Sequence, residues 1–307
     1  MMPHPLSVLR APDGRQVQLK AHGCVWSGQF PENSLAAVRD CLTAPVARAE
    51  IDFNLLRDGD FLVTHDTHLD AVTTGSGPVR LTTRLEAAQL HCRWRGRVWQ
   101  DRPPLLSEVV DVMRTEASPT VMELDAKDVE PWPWARVEQL ARLVEPVRDR
   151  VIFGGCADWN LRRLMYVDSG LRVGFTPTFY LDWVPPNVVP DELPGVVGAY
   201  GYRDAHPLAR ARMEPTSDYL WERMSAMMRL VPGASEMHIR LSLFEHMQSD
   251  GLGDTAHRMH RAGLRVDLWT LDAGTPDWQA RLNNAVWAGA DIITTNTPQE
   301  IARARIR

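Results

Sequence analysis

Eight short apolar segments alternate with eight segments of helical pattern along this chain. Such alternation predicts an α/β fold with a parallel sheet, and eight repeats predict a TIM (β/α)8 barrel. The length of 307 residues fits one barrel, so we expect a single domain over residues 1–307. A doubly wound open sheet, the competing architecture, usually has a glycine-rich turn after its first strand, and none follows residues 18–22.

The predicted strands are short apolar runs with good β-forming residues. They span residues 18–22, 48–54, 120–125, 150–154, 171–176, 236–241, 265–271 and 290–295. The predicted helices span residues 33–43, 105–116, 134–147, 158–168, 216–230, 245–262, 276–288 and 298–305. Asn33 is a candidate cap for the first helix. Gly170, Gly263 and Gly289 lie where helices should end, each just before a strand.

Two segments interrupt the alternation. Residues 55–104 contain an Asp58-Gly59 turn and a loop-like stretch rich in Thr, Gly and Arg, and residues 177–215 are rich in Pro, Gly, Tyr and Trp. In a barrel both would follow strands and lie at the C-terminal face, where loops build the site. We therefore interpret them as lid or pocket segments rather than as separate domains.

Composition excludes several classes of function. The net charge is −5 and the pI is about 6.1, which does not fit a basic nucleic-acid footprint. The four cysteines show no C-x-x-C spacing, as expected of free thiols in a reducing compartment. The N-terminus shows no signal-peptide pattern, and no apolar run approaches the roughly 20 residues of a transmembrane helix. We expect a cytoplasmic protein.

The most informative motif is Glu50-Ile51-Asp52 in the second predicted strand. Side chains two apart in a strand point to the same face, so both carboxylates converge while Ile51 faces away. Convergent carboxylates repel unless a cation or a shared proton separates them. Oxygen ligands of this kind suit Mg²⁺ or Ca²⁺. His65 follows the Asp58-Gly59 turn, so the chain can bring an imidazole back to the same place.

Other polar residues occupy neighbouring strand ends in the predicted barrel. They are His22 on strand one, Glu123, Asp125 and Lys127 on strand three, Trp269 on strand seven and Asn296 on strand eight. Carboxylates, imidazoles, a lysine and an aromatic wall at one barrel mouth suit a phosphate-ester site. A cation there would neutralise phosphate charge, and two histidines could give and take protons near neutral pH.

These residues also carry a family resemblance, which spans about residues 18–301. The matching pieces, in chain order, are Ala21-His22-Gly23, Pro31-Glu32-Asn33-Ser34-Leu35-Ala36-Ala37, Glu50-Ile51-Asp52, Asp58-Gly59, His65-Asp66, Thr73-Thr74-Gly75-Ser76-Gly77, Asp125-Ala126-Lys127, Trp269-Thr270-Leu271-Asp272 and Thr294-Thr295-Asn296-Thr297-Pro298. The chain resembles the glycerophosphodiester phosphodiesterases. Each piece is weakly specific, but their order and spacing together are highly specific.

The resemblance implies a TIM barrel that hydrolyses small-molecule phosphodiesters with a divalent metal, Mg²⁺ or Ca²⁺. By motif, Glu50, Asp52 and the strand-three acid would be metal ligands, and His22 and His65 the acid–base pair. Lys127 would hold phosphate. In the family's mechanism the neighbouring glycerol hydroxyl attacks phosphorus, and water then opens the cyclic phosphate.

The chain departs from the family pattern at three points. Gly23 and Cys24 follow His22, where the family usually has a phosphate-binding Arg, so Arg240 and Arg203 become candidate substitutes. The third acid is Asp125 in the best register, although Glu123 faces inward as well. Asn296 stands where many members have Asp.

Two further functions remain open from the sequence. An Asp-x-Lys on strand three with a closing Thr-Asn is also similar to the sphingomyelinase D phospholipases. A phospholipase D-like or sugar-phosphodiester substrate with a cyclic phosphate product is therefore one alternative. A non-catalytic barrel that binds a phosphorylated ligand is the other.

Overall fold

The computed structural model describes residues 3–183 and 214–306 and contains the predicted barrel. Each of the eight predicted strands overlaps a barrel strand. These strands, labelled β1 to β8, are Gln16–Ala21, Arg48–Leu55, Val121–Ala126, Val151–Gly155, Gly174–Phe175, Glu236–Arg240, Arg265–Trp269 and Ile292–Thr295. The TIM-barrel prediction is therefore confirmed.

The barrel strands are parallel and lie in the order β4-β3-β2-β1-β8-β7-β6-β5. A parallel bridge between Phe153 on β4 and Val173 just before β5 joins the two ends of this order. The ring places the C-terminal ends of β1, β2, β3, β7 and β8 around one mouth. Residues far apart in the sequence can therefore share one site.

The helices follow the strands as predicted, with two differences. They are Leu35–Thr43, Arg84–Ala87, Leu106–Thr115, Trp134–Val144, Asp158–Val167, Thr216–Met228, Leu241–Ser249, Thr255–Arg261, Trp278–Trp287 and Pro298–Ala302. The first helix is capped by Ser34, whose hydroxyl accepts from the Ala37 amide at 3.1 Å, so the prediction of Asn33 as the cap was wrong. The helix predicted over residues 245–262 is two helices, because the chain turns at Gly251, where φ is +98°.

The inner faces of the strands carry charge. A TIM barrel is usually filled by branched apolar side chains. Here the ammonium of Lys20 pairs with both Glu123 and Asp267 inside the barrel, and His238 contacts Glu123 at 3.1 Å. All four side chains are buried. The apolar core lies instead between the outer faces of the strands and the helices, as Ile51 and Leu124 show.

The segment between β2 and the helix Leu106–Thr115 forms a separate layer over the mouth. It holds the strand Phe61–Val63, which pairs antiparallel with β2, and a hairpin formed by Arg93–Trp94 and Arg97–Val98. A small apolar cluster, which includes Leu62 and Leu69, supports this layer. Of the second interrupting segment, residues 184–213 lie outside the described residues.

Candidate active site

Three carboxylates converge at the mouth of the barrel. Glu50 and Asp52 come from β2 and Asp125 from β3, and one oxygen of each lies within 4.8 Å of one of each of the others. Glu50 and Asp52 are 3% and 1% exposed. Glu50 Oε1 and Asp125 Oδ1 are buried oxygens without a hydrogen-bond partner among the described residues. Buried polar atoms of this kind call for a ligand.

The charge of this acidic triad is only partly compensated. Burial, and then the neighbouring Asp52, raise the pKa of Glu50 well above its usual range. The ammonium of Lys127 lies 2.9 Å from Asp52 and 2.8 Å from Asp125. Burial opposes the charged lysine, but Asp125 and Asp52 raise its pKa. Three acids against one lysine leave room for a cation, and donors made only of carboxylate oxygen suit a hard divalent ion.

Neighbouring backbone and amide groups hold the two β2 acids in place. The Asn33 side chain donates to Asp52 Oδ2 at 2.7 Å and accepts from the Asp52 amide at 2.9 Å. The amide of Gly23 donates to Glu50 Oε2 at 2.7 Å. These bonds leave the other oxygen of each acid available. Asp52 Oδ1 faces the ammonium of Lys127, and Glu50 Oε1 has no hydrogen-bond partner among the described residues.

The structure explains why glycine replaces arginine after His22. Gly23 has a φ of +53°, and a Cβ there would lie 2.9 Å from the Cβ of Glu32. A larger residue would be strained and would clash. The local backbone that presents the Gly23 amide to Glu50 therefore excludes an arginine at this position.

His22 is held by a chain of side-chain hydrogen bonds from β8 and the loop after β7. Its Nδ1 lies 2.8 Å from Asn296 Oδ1. The Asn296 side-chain nitrogen donates to Asp272 Oδ2 at 2.9 Å, which orients its oxygen toward the histidine. An amide oxygen only accepts, so His22 donates from Nδ1 and its neutral ring carries the lone pair on Nε2. That nitrogen lies 3.9 Å from Glu50 Oε2.

His65 follows the strand Phe61–Val63 and has a different partner from His22. Its Nδ1 is 2.9 Å from Asp66 Oδ1. Burial opposes the charged form of Asp52, but Lys127, followed by His65 and His22, lowers its pKa below the usual range. About 30% of each ring is exposed, so both can meet a ligand that enters the mouth.

Glu123 does not join the acidic triad. Its carboxylate pairs with Lys20 and with His238, deeper in the barrel than Asp125. Gly154 lies alongside on β4, where a Cβ would meet the Glu123 carboxylate at 2.3 Å. Of the two strand-three acids that the sequence left as alternatives, the structure brings Asp125 to Glu50 and Asp52.

Trp269 and Arg240 lie together on the far wall of the mouth. The guanidinium carbon of Arg240 is 4.4 Å from the Trp269 ring, and its Nε is 3.0 Å from both oxygens of buried Asp182. The indole nitrogen of Trp269 is a buried donor without a hydrogen-bond partner among the described residues. Arg203, the other candidate cation, lies outside the described residues.

An open cleft runs from the site toward the hairpin. Its lining includes Thr64 and His65 after β2, Glu32 before the first helix, and Arg93 and Trp94 of the hairpin. The cleft therefore connects the imidazole of His65, a predicted catalytic residue, to the layer over the mouth.

Sequence reasoning missed three residues that shape the site: Asp272, Asp182 and the orienting role of Asn33. Asp272 and Asn33 lie inside the matching motifs, and this was the only signal available for them. Asp182 carried none, because its partner Arg240 is 58 residues away.

The fold and the site together place the protein among TIM barrels that carry an acidic site at the C-terminal mouth. Residues 26–165 match the Glycerophosphoryl diester phosphodiesterase family, and this segment contains the acidic triad, His65 and Lys127. The chain is therefore similar to the glycerophosphodiester phosphodiesterase family over residues 26–165, which are just under half of its length.

Curated relatives resemble parts of the chain. The glycerophosphodiester phosphodiesterase of Caldanaerobacter subterraneus subsp. tengcongensis is 24% identical over 155 residues, which are 48% of this chain and 62% of that protein. YhdW of Bacillus subtilis is 35% identical over 86 residues, or 27% of this chain and 35% of that protein. The chain thus spans less than two thirds of the length of either relative.

Solved structures share the fold over most of the chain. A phosphodiesterase from Oleispira antarctica, solved in complex with the product sn-glycerol-3-phosphate, has a TM-score of 0.61 at 20% identity and covers 94% of this chain and 96% of its own. The glycerophosphodiester phosphodiesterase from Thermotoga maritima has a TM-score of 0.57 at 16% identity, and the match covers 94% of this chain and 98% of that one.

Among the described residues, no helix is both long and apolar enough to cross a membrane.

Proposed function

We propose that this protein is a metal-dependent phosphodiester hydrolase in one barrel domain, which acts on glycerophosphodiesters and releases an alcohol and glycerol phosphate. The observation that carries the proposal is the acidic triad near His22 and His65, whose buried oxygens include two without a partner among the described residues, on a barrel that resembles this family. The Oleispira phosphodiesterase, solved in complex with the product sn-glycerol-3-phosphate, supports the choice of substrate.

The residues present fit a divalent cation. Glu50, Asp52 and Asp125 would hold it, because their oxygens converge and two of these oxygens have no hydrogen-bond partner among the described residues. When bound, Mg²⁺ or Ca²⁺ would neutralise phosphate charge and polarise the ester. Glu123 is assigned a structural role instead, because Lys20 and His238 already occupy its carboxylate.

The two histidines divide the proton transfers according to their partners. His22 has an amide oxygen at Nδ1 and a lone pair on Nε2, so it takes the proton from the glycerol hydroxyl that attacks phosphorus. His65 has the Asp66 carboxylate at Nδ1, which stabilises a protonated ring, so it gives a proton to the leaving alcohol. Water then opens the cyclic phosphate, with the two roles reversed.

The remaining polar groups position the substrate. Lys127 lies against the triad and would contact a phosphate oxygen, and the unpartnered Trp269 indole nitrogen would donate to another substrate oxygen. Arg240 would supply the guanidinium that Gly23 precludes at the usual position. Asn296 acts on His22 rather than on the substrate.

The four free cysteines support a reducing, cytoplasmic setting.

The test is hydrolysis of glycerophosphocholine and glycerophosphoethanolamine with Mg²⁺, with Ca²⁺ and with a chelator. We expect the chelator to abolish turnover, and His22→Ala to lower it by roughly 10²–10⁴-fold. His257→Ala, at an exposed ring on the helix Thr255–Arg261, is the matched control and should leave turnover unchanged. A metal-binding protein that cleaves neither compound would favour a phosphate-ligand-binding barrel.

A second candidate keeps the chemistry but ends at the cyclic phosphate. The observation that favours it is the glycine required at position 23, because the phosphate pocket then differs from the family pattern. Phosphorus NMR of the products distinguishes the two functions. Acyclic phosphate monoesters alone, from every glycerophosphodiester, lysophospholipid or sugar phosphodiester that is cleaved, would exclude the cyclic-product function.

A further inference from the structure

The hairpin over the mouth has an unusual composition. Residues 93–99 read Arg-Trp-Arg-Gly-Arg-Val-Trp, with three arginines, two tryptophans and no acidic residue, in a chain whose net charge is −5. The two strands form a small two-stranded sheet outside the barrel, and the Arg93 amide donates to the Val72 carbonyl of the neighbouring loop at 2.7 Å. Nothing in the proposed catalysis uses this concentration of positive charge.

The three arginines are exposed and are not neutralised by acids. Within residues 3–183 and 214–306, none of them forms an ion pair. Arg93 donates to the Thr73 carbonyl at 2.6 Å, and Arg95 donates to the Gly28 carbonyl at 3.2 Å while its guanidinium lies 4.1 Å from the Trp94 ring. These contacts orient the guanidinium groups but leave their charge uncompensated.

The apolar side chains of the hairpin pack together and are partly uncovered. Trp94 and Trp99 meet edge to face with ring centroids 5.4 Å apart, and both are half-buried. Val98 is 58% exposed beside them. Tryptophan at a polar–apolar boundary, next to arginine and a bare aliphatic side chain, is the composition that binds a bilayer interface.

We propose that this hairpin docks the barrel onto the surface of a membrane that contains anionic phospholipid. Arginines attract the anionic headgroups, and the Trp and Val side chains enter the boundary between headgroups and acyl chains. A bilayer suits the hairpin better than a nucleic acid, because the exposed apolar residue would find no partner on a phosphate backbone. Arg93 and Trp94 line the same cleft as His65, so docking through the hairpin would turn this cleft toward the lipid surface.

The test is sedimentation of the full-length protein with vesicles of phosphatidylglycerol and phosphatidylcholine in equal parts, against pure phosphatidylcholine, in the presence of chelator. Each arginine near an anionic surface strengthens binding roughly fivefold, so Arg95→Gln/Arg97→Gln should bind about 25-fold more weakly. Val98→Asp, at an exposed position that does not threaten folding, should lower binding roughly tenfold. Raising the salt to about 1 M should weaken binding of the parent.

The matched control is Arg303→Gln/Arg305→Gln, which removes the same charge from exposed positions beyond the last helix. It should bind like the parent. Equal binding to both kinds of vesicle, an equal loss in the control, or equally tight binding of an oligonucleotide duplex would overturn the proposal. Because vesicle binding is measured without turnover, it can fail while hydrolysis of glycerophosphocholine in solution succeeds, and the reverse.

Discussion

The side-chain oxygen of Asn296 lies 2.8 Å from Nδ1 of His22. Because Asp272 binds the nitrogen of the same amide, the oxygen cannot exchange places with it without losing a hydrogen bond. The relationship fixes the ring orientation and directs the Nε2 lone pair toward the acidic triad. Asp272 is thus a positioning residue that acts through Asn296.

The first prediction concerns this positioning. Asp272→Asn removes the carboxylate that selects the Asn296 amide orientation, so kcat should fall roughly 10–100-fold with little change in KM. Nitrogen-15 NMR should show the two His22 tautomers mixed in the variant and one dominant in the parent. Asp277→Asn, the same change at an exposed position five residues on, is the control. A variant that loses activity but keeps a single tautomer would contradict the positioning role.

The second prediction separates the two strand-three acids. Asp125→Asn should weaken metal binding strongly while the fold stays intact, because Asp125 belongs to the triad. Glu123→Gln should leave metal affinity near that of the parent but lower the free energy of unfolding by about 3 kcal/mol, because Lys20 and His238 lose a buried partner. Calorimetric metal titration and urea unfolding measure the two effects. The reverse pattern would make Glu123 the ligand.

The third prediction is the pH dependence of metal binding. The pKa of Glu50 is raised by burial and by Asp52, so a proton competes with the metal for this carboxylate. Affinity should therefore increase with pH until Glu50 is fully ionised, and binding should release a proton. Titration in two buffers of different ionisation enthalpy counts the protons. Affinity that is independent of pH, with no proton released, would remove Glu50 from the ligand set.

The fourth prediction is the pH dependence of stability. Burial disfavours a charged His238, but Glu123 beside it raises the pKa from 6.5 to about 10. A group with a raised pKa in the folded state contributes stability that is complete below its unfolded pKa and is lost as the pH rises through the folded pKa. The free energy of unfolding should therefore decline by several kcal/mol between about pH 6.5 and 10. His238→Gln should flatten that decline, and an unchanged slope would contradict the assignment.

The fifth prediction compares a buried with an exposed ion pair. Lys20→Ala leaves the buried carboxylates of Glu123 and Asp267 without their shared partner, and the cost should be roughly 3–5 kcal/mol. Arg258→Ala removes a pair with Asp254 on a helix surface, and its cost should be about 0–1 kcal/mol. Thermal or urea unfolding of the two variants gives the comparison. Similar costs would show that the interior charge layer, formed by Lys20, Glu123, Asp267 and His238, is not important for stability.

Much of this fold could be predicted because its signals are local. The alternation of short apolar runs with helical segments indicated all eight barrel strands, and the spacing of Glu50 and Asp52 placed two acids on one strand face. The failures were also local: the glycine turn at position 251 divides one predicted helix, and Ser34 rather than Asn33 caps another. Asn33 and Ser34 are both good cap residues, so propensity alone did not separate them, and a glycine within a helical pattern does not by itself show that the helix ends.

By itself, the sequence determined the barrel, the resemblance to a phosphodiesterase family and the set of polar residues at the strand ends. Only the tertiary structure decided which of these residues meet. Lys20 and Asp267 are 247 positions apart, and His22 and Asn296 are 274 apart, yet each pair is in contact because closing the ring puts β1 beside β8 and opposes the inner faces of the strands. That closure draws Glu123 into the interior charge layer and leaves Asp125 at the mouth, since successive inward residues of one strand occupy different depths of the barrel.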